Sequence, residues 1–125
     1  MYIQIEGGNT NPGIRSLLAG EIDLAGAGRH LIAEEKQRGL VEHFLGWEVL
    51  AVVVQRTNPV DALTLAQLRG IFAANVSTGR YALAKPLALV TRGQSEGQLE
   101  RFIKFALSPR GQGVLAKSFV PGAKP

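Results

Sequence analysis

The stretch Tyr2–Gly28, YIQIEGGNTNPGIRSLLAGEIDLAGAG, places three kinds of folding signal back to back. YIQIE alternates apolar and polar residues, the period-two pattern of a half-buried strand. GGNTNPG supplies small and polar turn residues. Asn11 is the expected helix cap, with Pro12 at the first helical position, where a missing N–H is no loss. GIRSLLA then runs as a short helix to Gly20, a residue that takes the left-handed conformation at a helix end without steric penalty. EIDLAGAG follows as a strand that stops on small residues. Strand, loop, helix and strand in so few residues point to an α/β unit.

The rest of the chain repeats the alternation. HLIAEEKQRG reads as a second helix, charged on its outer face and stopped by Gly39. VEHFLGWEVLAVVVQR is too β-branched for an ordinary helix and predicts a strand from about Glu42 to Gln55, bent at Gly46. TNPV is a turn. LTLAQLRGIFA carries a capping box, Thr64 with Gln67, and a hydrophobic staple of Leu63 with Leu68. ANVSTGRYALAK is irregular, and PLALVTR is a strand. SEGQLERFIKFAL opens with a second box, Ser95 with Gln98, and is expected to bury Leu99, Phe102, Ile103 and Leu107. SPRGQGVLAKSF starts another helix, with Ser108 as cap and Pro109 in first position. The tail VPGAKP is expected to be loose. The expected architecture is one α/β domain over residues 1–125, with a mixed, mostly parallel sheet flanked by helices.

Composition narrows the function classes. The 125 residues hold no cysteine, which excludes disulfides and thiolate chemistry. The net charge of +4 comes from basic residues scattered along the chain, with no stripe of Arg and Lys interleaved with aromatics, so nucleic acid is not an expected partner. No apolar run reaches the roughly 18 residues of a membrane span, and YIQIE lacks the basic leader of a secretory signal.

No catalytic constellation is legible. Ser16, Ser77, Ser95, Ser108 and Ser118 have no evident His–carboxylate partners, and no GxSxG elbow is present. GGNTNPG lacks the lysine of a P-loop, and GAGRHL has a glycine out of place for a dinucleotide fingerprint. His30 reads as a loop residue and His43 lies far along the chain, so no metal spacing exists. No cofactor is expected. Glu34 and Glu35, as helix neighbours, do not face each other and read as solvated charge. Trp47, Phe102 and Phe105 read as packing residues.

Two features carry candidate chemistry. The first turn of a helix leaves N–H groups unpaired, and the macrodipole adds partial positive charge there. In the opening loop, glycines allow an oxyanion close approach, and Asn9, Thr10 and Asn11 add neutral side-chain donors. The other reading is a capped turn in which Asn11 only caps. Arg29 follows DLAGAG at the carboxyl end of an expected parallel strand, where α/β sheets bind ligands. Its guanidinium suits a divalent oxyanion. The other reading is a surface arginine paired with Glu34 or Glu35.

Three blocks together resemble the phosphate-type periplasmic solute-binding proteins. These are GGNTNPGIRSLLAGEIDLAGAGRHLIAEEK, WEVLAVVVQRTNPVDALTLAQLRGIFAANVS, and KPLALVTRG with FIKFALSPRGQGVLAKSFVP. In that family the opening loop contacts the bound oxyanion, so the resemblance implies ligand contacts at Thr10, Asn11 and Gly13, with Arg29 beside the cleft; with Asn9 from the loop's own donors, these are the expected ligand-binding residues. It also implies a periplasmic location, phosphate or a sulfate- or molybdate-like anion as ligand, and an ABC permease as partner. The departures are specific. IFAANVST passes almost directly into GRYALAKPLALV, so the second lobe and its anion loop have no counterpart, and the family's opening strand and its Gly/Ser/Thr loop are absent. The expectation is a single lobe that binds an oxyanion weakly and performs no reaction. An exposed sheet edge would favour a homodimer. The alternative is a protein-interaction or sensory module, or a remnant without ligand, derived from the same fold.

Overall fold

The computed structural model describes residues 2–49, 51–73 and 84–122. The chain divides into two compact units, Met1–Val49 with Lys85–Pro125, and Leu50–Ala84. The first contains α1 (Thr10–Ala19), β1 (Ala25–Ala27), α2 (Ala33–Gln37) and β2 (Leu40–Val49). The second contains α3 (Leu65–Ala73). The chain then returns through β3 (Ala84–Arg92), α4 (Gly97–Leu107), α5 (Pro109–Leu115) and β4 (Val120–Pro121).

The four described strands form one sheet in the order β1-β3-β2-β4. β1 pairs antiparallel with β3, Ala25 opposite Val90 and Ala27 opposite Ala88. β2 pairs antiparallel with β4, Gly46 opposite Pro121 and Trp47 opposite Val120. The α/β class therefore holds, but the mostly parallel sheet is corrected. Alternating strand and helix signals define element types, whereas strand direction depends on which edge each returning segment joins.

The core lies where α1 meets β1. Ile14 and Leu17 are buried with Ala25, Ala27, Leu31, Leu40 and Val90, and Leu18 and Ile22 pack at the margin. Alanines on β1 let the helix approach the strand closely. Each fully buried aliphatic side chain contributes about 1.5–3 kcal/mol.

Several local readings need correction. YIQIE forms no strand and is largely exposed, because alternation gives a strand only where a neighbour supplies the ladder. The same reason ends β2 at Val49, short of the expected Gln55. α1 starts earlier than expected: Asn9 is its cap residue, without a side-chain capping bond, and Pro12 falls in the third position. Gly20 does close that helix, at φ 77°. α4 begins at Gly97 after Glu96, so Ser95 and Gln98 form no box. On its buried side only Ile103 is fully enclosed, while Leu107 and Phe105 stay exposed.

Two caps are formed as read. In the second unit, Gln67 N–H donates to Thr64 Oγ1 at 3.2 Å while Thr64 N–H donates to Gln67 Oε1 at 2.9 Å. Ahead of it, the TNPV turn is held by Asn58 N–H donating to Gln55 O at 2.9 Å. At α5, Gly111 N–H donates to Ser108 Oγ at 3.2 Å, with Pro109 following the cap. The tail is not loose throughout, since Gly122 N–H donates to Leu45 O at 2.9 Å beside β4. Gly46 serves that contact: a Cβ there would fall 2.9 Å from Gly122 N and collide with Val120 O. It permits a close approach of chains. Residues 74–83 of the expected irregular segment lie outside the described residues.

Candidate functional site

The start of α1 and the loop after β1 are tied together by side chains. Gly28 N–H donates to Thr10 Oγ1 at 2.9 Å. Arg29 Nε and Nη2 both donate to Asn11 Oδ1, at 3.3 and 2.8 Å. These bonds explain why neither Thr10 nor Asn11 caps its own helix: their oxygens face the neighbouring loop. With Pro12 lacking an N–H, the first backbone bond of the helix is Gly13 N–H to Asn9 O, at 3.1 Å. The N–H groups of Thr10 and Asn11 find no acceptor among the described residues.

Arg29 is engaged on every side by protein oxygens. Its Nη1 donates to Glu35 Oε2 at 2.8 Å and to His30 O at 3.0 Å, and its Nη2 donates to Glu35 Oε1 at 2.7 Å. With the two bonds to Asn11, all five N–H donors of the guanidinium are directed at protein oxygens. The carboxylate sits in the guanidinium fork in the paired geometry that phosphate also favours. The sequence had left open whether Arg29 pairs with Glu34 or Glu35; the partner is Glu35.

Glu35 is correspondingly not solvated charge. It is buried, and its Oε2 also accepts from Ile32 N–H at 3.0 Å, half of a capping box whose other half an isoleucine cannot supply. The hydrogen bond from Arg29 is the main cause that holds the Glu35 carboxyl below its ordinary range, against the opposing effect of burial. The same bond raises the already high pKa of Arg29, so the pair is fully ionised at neutral pH.

A second carboxylate supports the same loop. Glu42 Oε1 lies 2.6 Å from His30 Nδ1, and Glu42 Oε2 accepts from Leu31 N–H at 3.0 Å. Burial pushes the Glu42 carboxyl up, but the Leu31 N–H and the His30 ring outweigh it and the net shift is downward. His30 also faces Trp47 edge-on at 6.4 Å, and Trp47 packs against Phe44 at 5.3 Å. Trp47 is 38% exposed, so its packing is on the surface of the sheet and not in the core. Deeper in, His43 Nε2 lies 3.0 Å from Thr91 Oγ1, whose own proton goes to Gly93 O at 3.0 Å. That arrangement makes His43 Nε2 the donor. Burial lowers its pKa and favours the neutral ring.

Asn11, Arg29 and Glu35 line one open hollow of ≈ 290 Å³, together with Arg15, Glu34 and Arg38 among others. Three arginines against two glutamates leave this lining one positive charge. Asn9, Thr10 and Gly13 do not line it. Two of the five sequence-selected residues, Asn11 and Arg29, are therefore brought together in the hollow, and Thr10 braces the loop beside it. In the sequence Glu35 reads as an alternative surface partner of Arg29, not as a buried member of the cluster. Its signal was the glutamate three residues after Ile32, a spacing suited to reach back to a helix start. Among the described residues no group of three His, Asp or Glu side chains is placed to hold a metal, and no helix is long and apolar enough to cross a membrane.

Residues 1–108 match the model of a PBP superfamily domain. Protein SphX of Synechococcus elongatus is 30% identical over 116 residues, covering 82% of this chain and 34% of SphX. The chain thus spans about a third of the length of that curated relative. Among solved structures, the fold resembles a Clostridium perfringens protein assigned as a phosphate ABC transporter substrate-binding protein, with phosphate bound. The TM-score is 0.70 at 17% identity, over 93% of this chain and 85% of the other. At that identity the likeness establishes the fold. With most of its length matched by one family model, the chain belongs to the PBP superfamily domain family.

Proposed function

We propose that this chain is a solute-binding lobe for a small phosphate-like oxyanion and performs no covalent chemistry. The ligand would be held by the unpartnered N–H groups of Thr10 and Asn11, in the loop that Asn9 and Gly13 flank, and steered there by Arg29. The observation that carries the reading is the pair of cross-links, Thr10 to Gly28 and Asn11 to Arg29, which hold a helix N-terminus beside a guanidinium. Family membership and a fold shared with a phosphate-bound substrate-binding protein support it. Held at the surface of one open lobe, the anion should be bound with low affinity. Service to an ABC permease at a periplasmic location is part of the same reading. So is pairing with a second copy at the sheet edge, where β1 is the terminal described strand.

A second reading has its own observation. Arg29 has no free N–H donor in this conformation, which favours a structural clasp in a protein-interaction or sensory module without ligand. Titration of inorganic phosphate followed by backbone amide NMR separates the two. The oxyanion reading expects the Thr10 and Asn11 amide signals to move with saturation. If those signals stay fixed to tens of millimolar phosphate (about the weakest useful affinity), the clasp reading takes over.

A further inference from the structure

We propose that Glu35 is a built-in rival anion, whose carboxylate holds the Arg29 fork and must vacate it before an external oxyanion can be gripped there. The inference rests on the oxyanion reading above and adds a regulatory element to it. The geometry is direct: Glu35 Oε1 and Oε2 stand 2.7 and 2.8 Å from Nη2 and Nη1, the places two phosphate oxygens would take in a bidentate contact. The remaining guanidinium donors are engaged by Asn11 and His30. An oxyanion approaching with Glu35 in place would meet a second negative charge and no free guanidinium donor. The Arg29 side chain is 35% exposed while that of Glu35 is 11% exposed, so solvent and solute reach the arginine more readily than its partner.

The carboxylate is also well placed to return. Ile32 N–H holds Glu35 Oε2 from within the same helix start, so release of Arg29 leaves the carboxylate with one donor and a short path back. Binding is then an exchange of one anion for another at a fixed arginine. An apparent dissociation constant rises by the reciprocal of the fraction of time the fork is free; a fork free about a tenth of the time weakens binding about tenfold. Selectivity follows from the same exchange: an anion with two oxygens and two charges can outcompete a carboxylate, whereas chloride or acetate cannot.

The test compares the full chain with its Glu35→Gln variant in titrations with inorganic phosphate and with sulfate. The amide can still accept from Ile32 N–H but brings no charge to the fork. Expected is a dissociation constant at least about tenfold lower in the variant, with the gain lost in Arg29→Ala/Glu35→Gln. A variant that binds no tighter than the parent, while the parent binds measurably, overturns the rival-anion proposal and leaves the oxyanion site standing. Absence of binding by both proteins to tens of millimolar overturns the two together. Should the variant fail to fold, the parent alone decides through carboxyl NMR of Glu35: its pKa must rise when sulfate, which does not titrate in this range, is added. An unchanged Glu35 titration in the presence of bound sulfate refutes the exchange.

Discussion

Replacing Arg29 by alanine should destabilise the protein, and the size of the loss follows from how the pair is buried. The substitution removes five hydrogen bonds and leaves the Glu35 carboxylate, whose side chain is 11% exposed, with Ile32 N–H as its remaining donor. Fully exposed ion pairs contribute about 0.2–1 kcal/mol, and breaking a fully buried pair costs about 3–5 kcal/mol. This pair has one half-exposed and one buried member, which puts the loss at roughly 2 kcal/mol, or a drop in Tm of roughly 6–8 °C for a domain of this size. Most of that loss comes from the stranded charge, so Glu35→Gln in the Arg29→Ala background should restore part of it. The double-mutant cycle, measured by urea unfolding, should show a coupling of about 1 kcal/mol. The pH dependence has a definite sign. Arg29 holds the folded-state carboxyl below its unfolded value. The stabilisation is therefore complete above the unfolded carboxyl pKa of about 4.3 and disappears as the pH falls through the lower folded value. The gap between parent and Arg29→Ala should close in that acidic window. Additive single effects, within about 0.3 kcal/mol, together with a gap that persists at low pH, would refute the argument that the fork is an energetic unit.

Two further outcomes test the packing. Leu17→Ala, at a position 1% exposed where α1 meets β1, should cost about 2–5 kcal/mol in urea unfolding. Gly111→Ala and Gly113→Ala, two positions apart in α5, should act in opposite directions. A Cβ at Gly111 would collide with Phe105 O and lie 2.7 Å from Ala106 Cα, whereas one at Gly113 meets open space. The first should cost about 1–3 kcal/mol by overpacking the α4–α5 contact, and the second should stabilise by up to about 1 kcal/mol through helix propensity; Tm measurements on both variants decide.

The parts of the fold that could be read from the sequence are those whose cause lies within a few residues. Thr64 and Gln67 cap α3 because an oxygen and an N–H three positions apart meet at any helix start. Ser108 with Pro109 does the same for α5. The Ser95 and Gln98 pair had the same letters and formed no cap, because Gly97, at φ +61°, moves the helix start past it. For the candidate site, the sequence could single out Asn11 and Arg29 but not what they engage. Asn11 and Arg29 do meet, but their partnership spans 18 residues, and the carboxylate that completes it sits on a helix read as solvated.

The sequence by itself determined the α/β class, the stop at Gly20, the turn at Asn58, the caps of α3 and α5, and the family to which the chain belongs. Each of those follows from short-range sterics and local hydrogen bonding, or from residue order, and survives whatever the rest of the chain does. Tertiary structure alone decided that β1 lies beside β3 in antiparallel register, that YIQIE has no ladder, and that Arg29 faces Glu35. Those outcomes depend on which distant segments come into contact, and a backbone donor or a guanidinium takes the acceptor that packing brings to it.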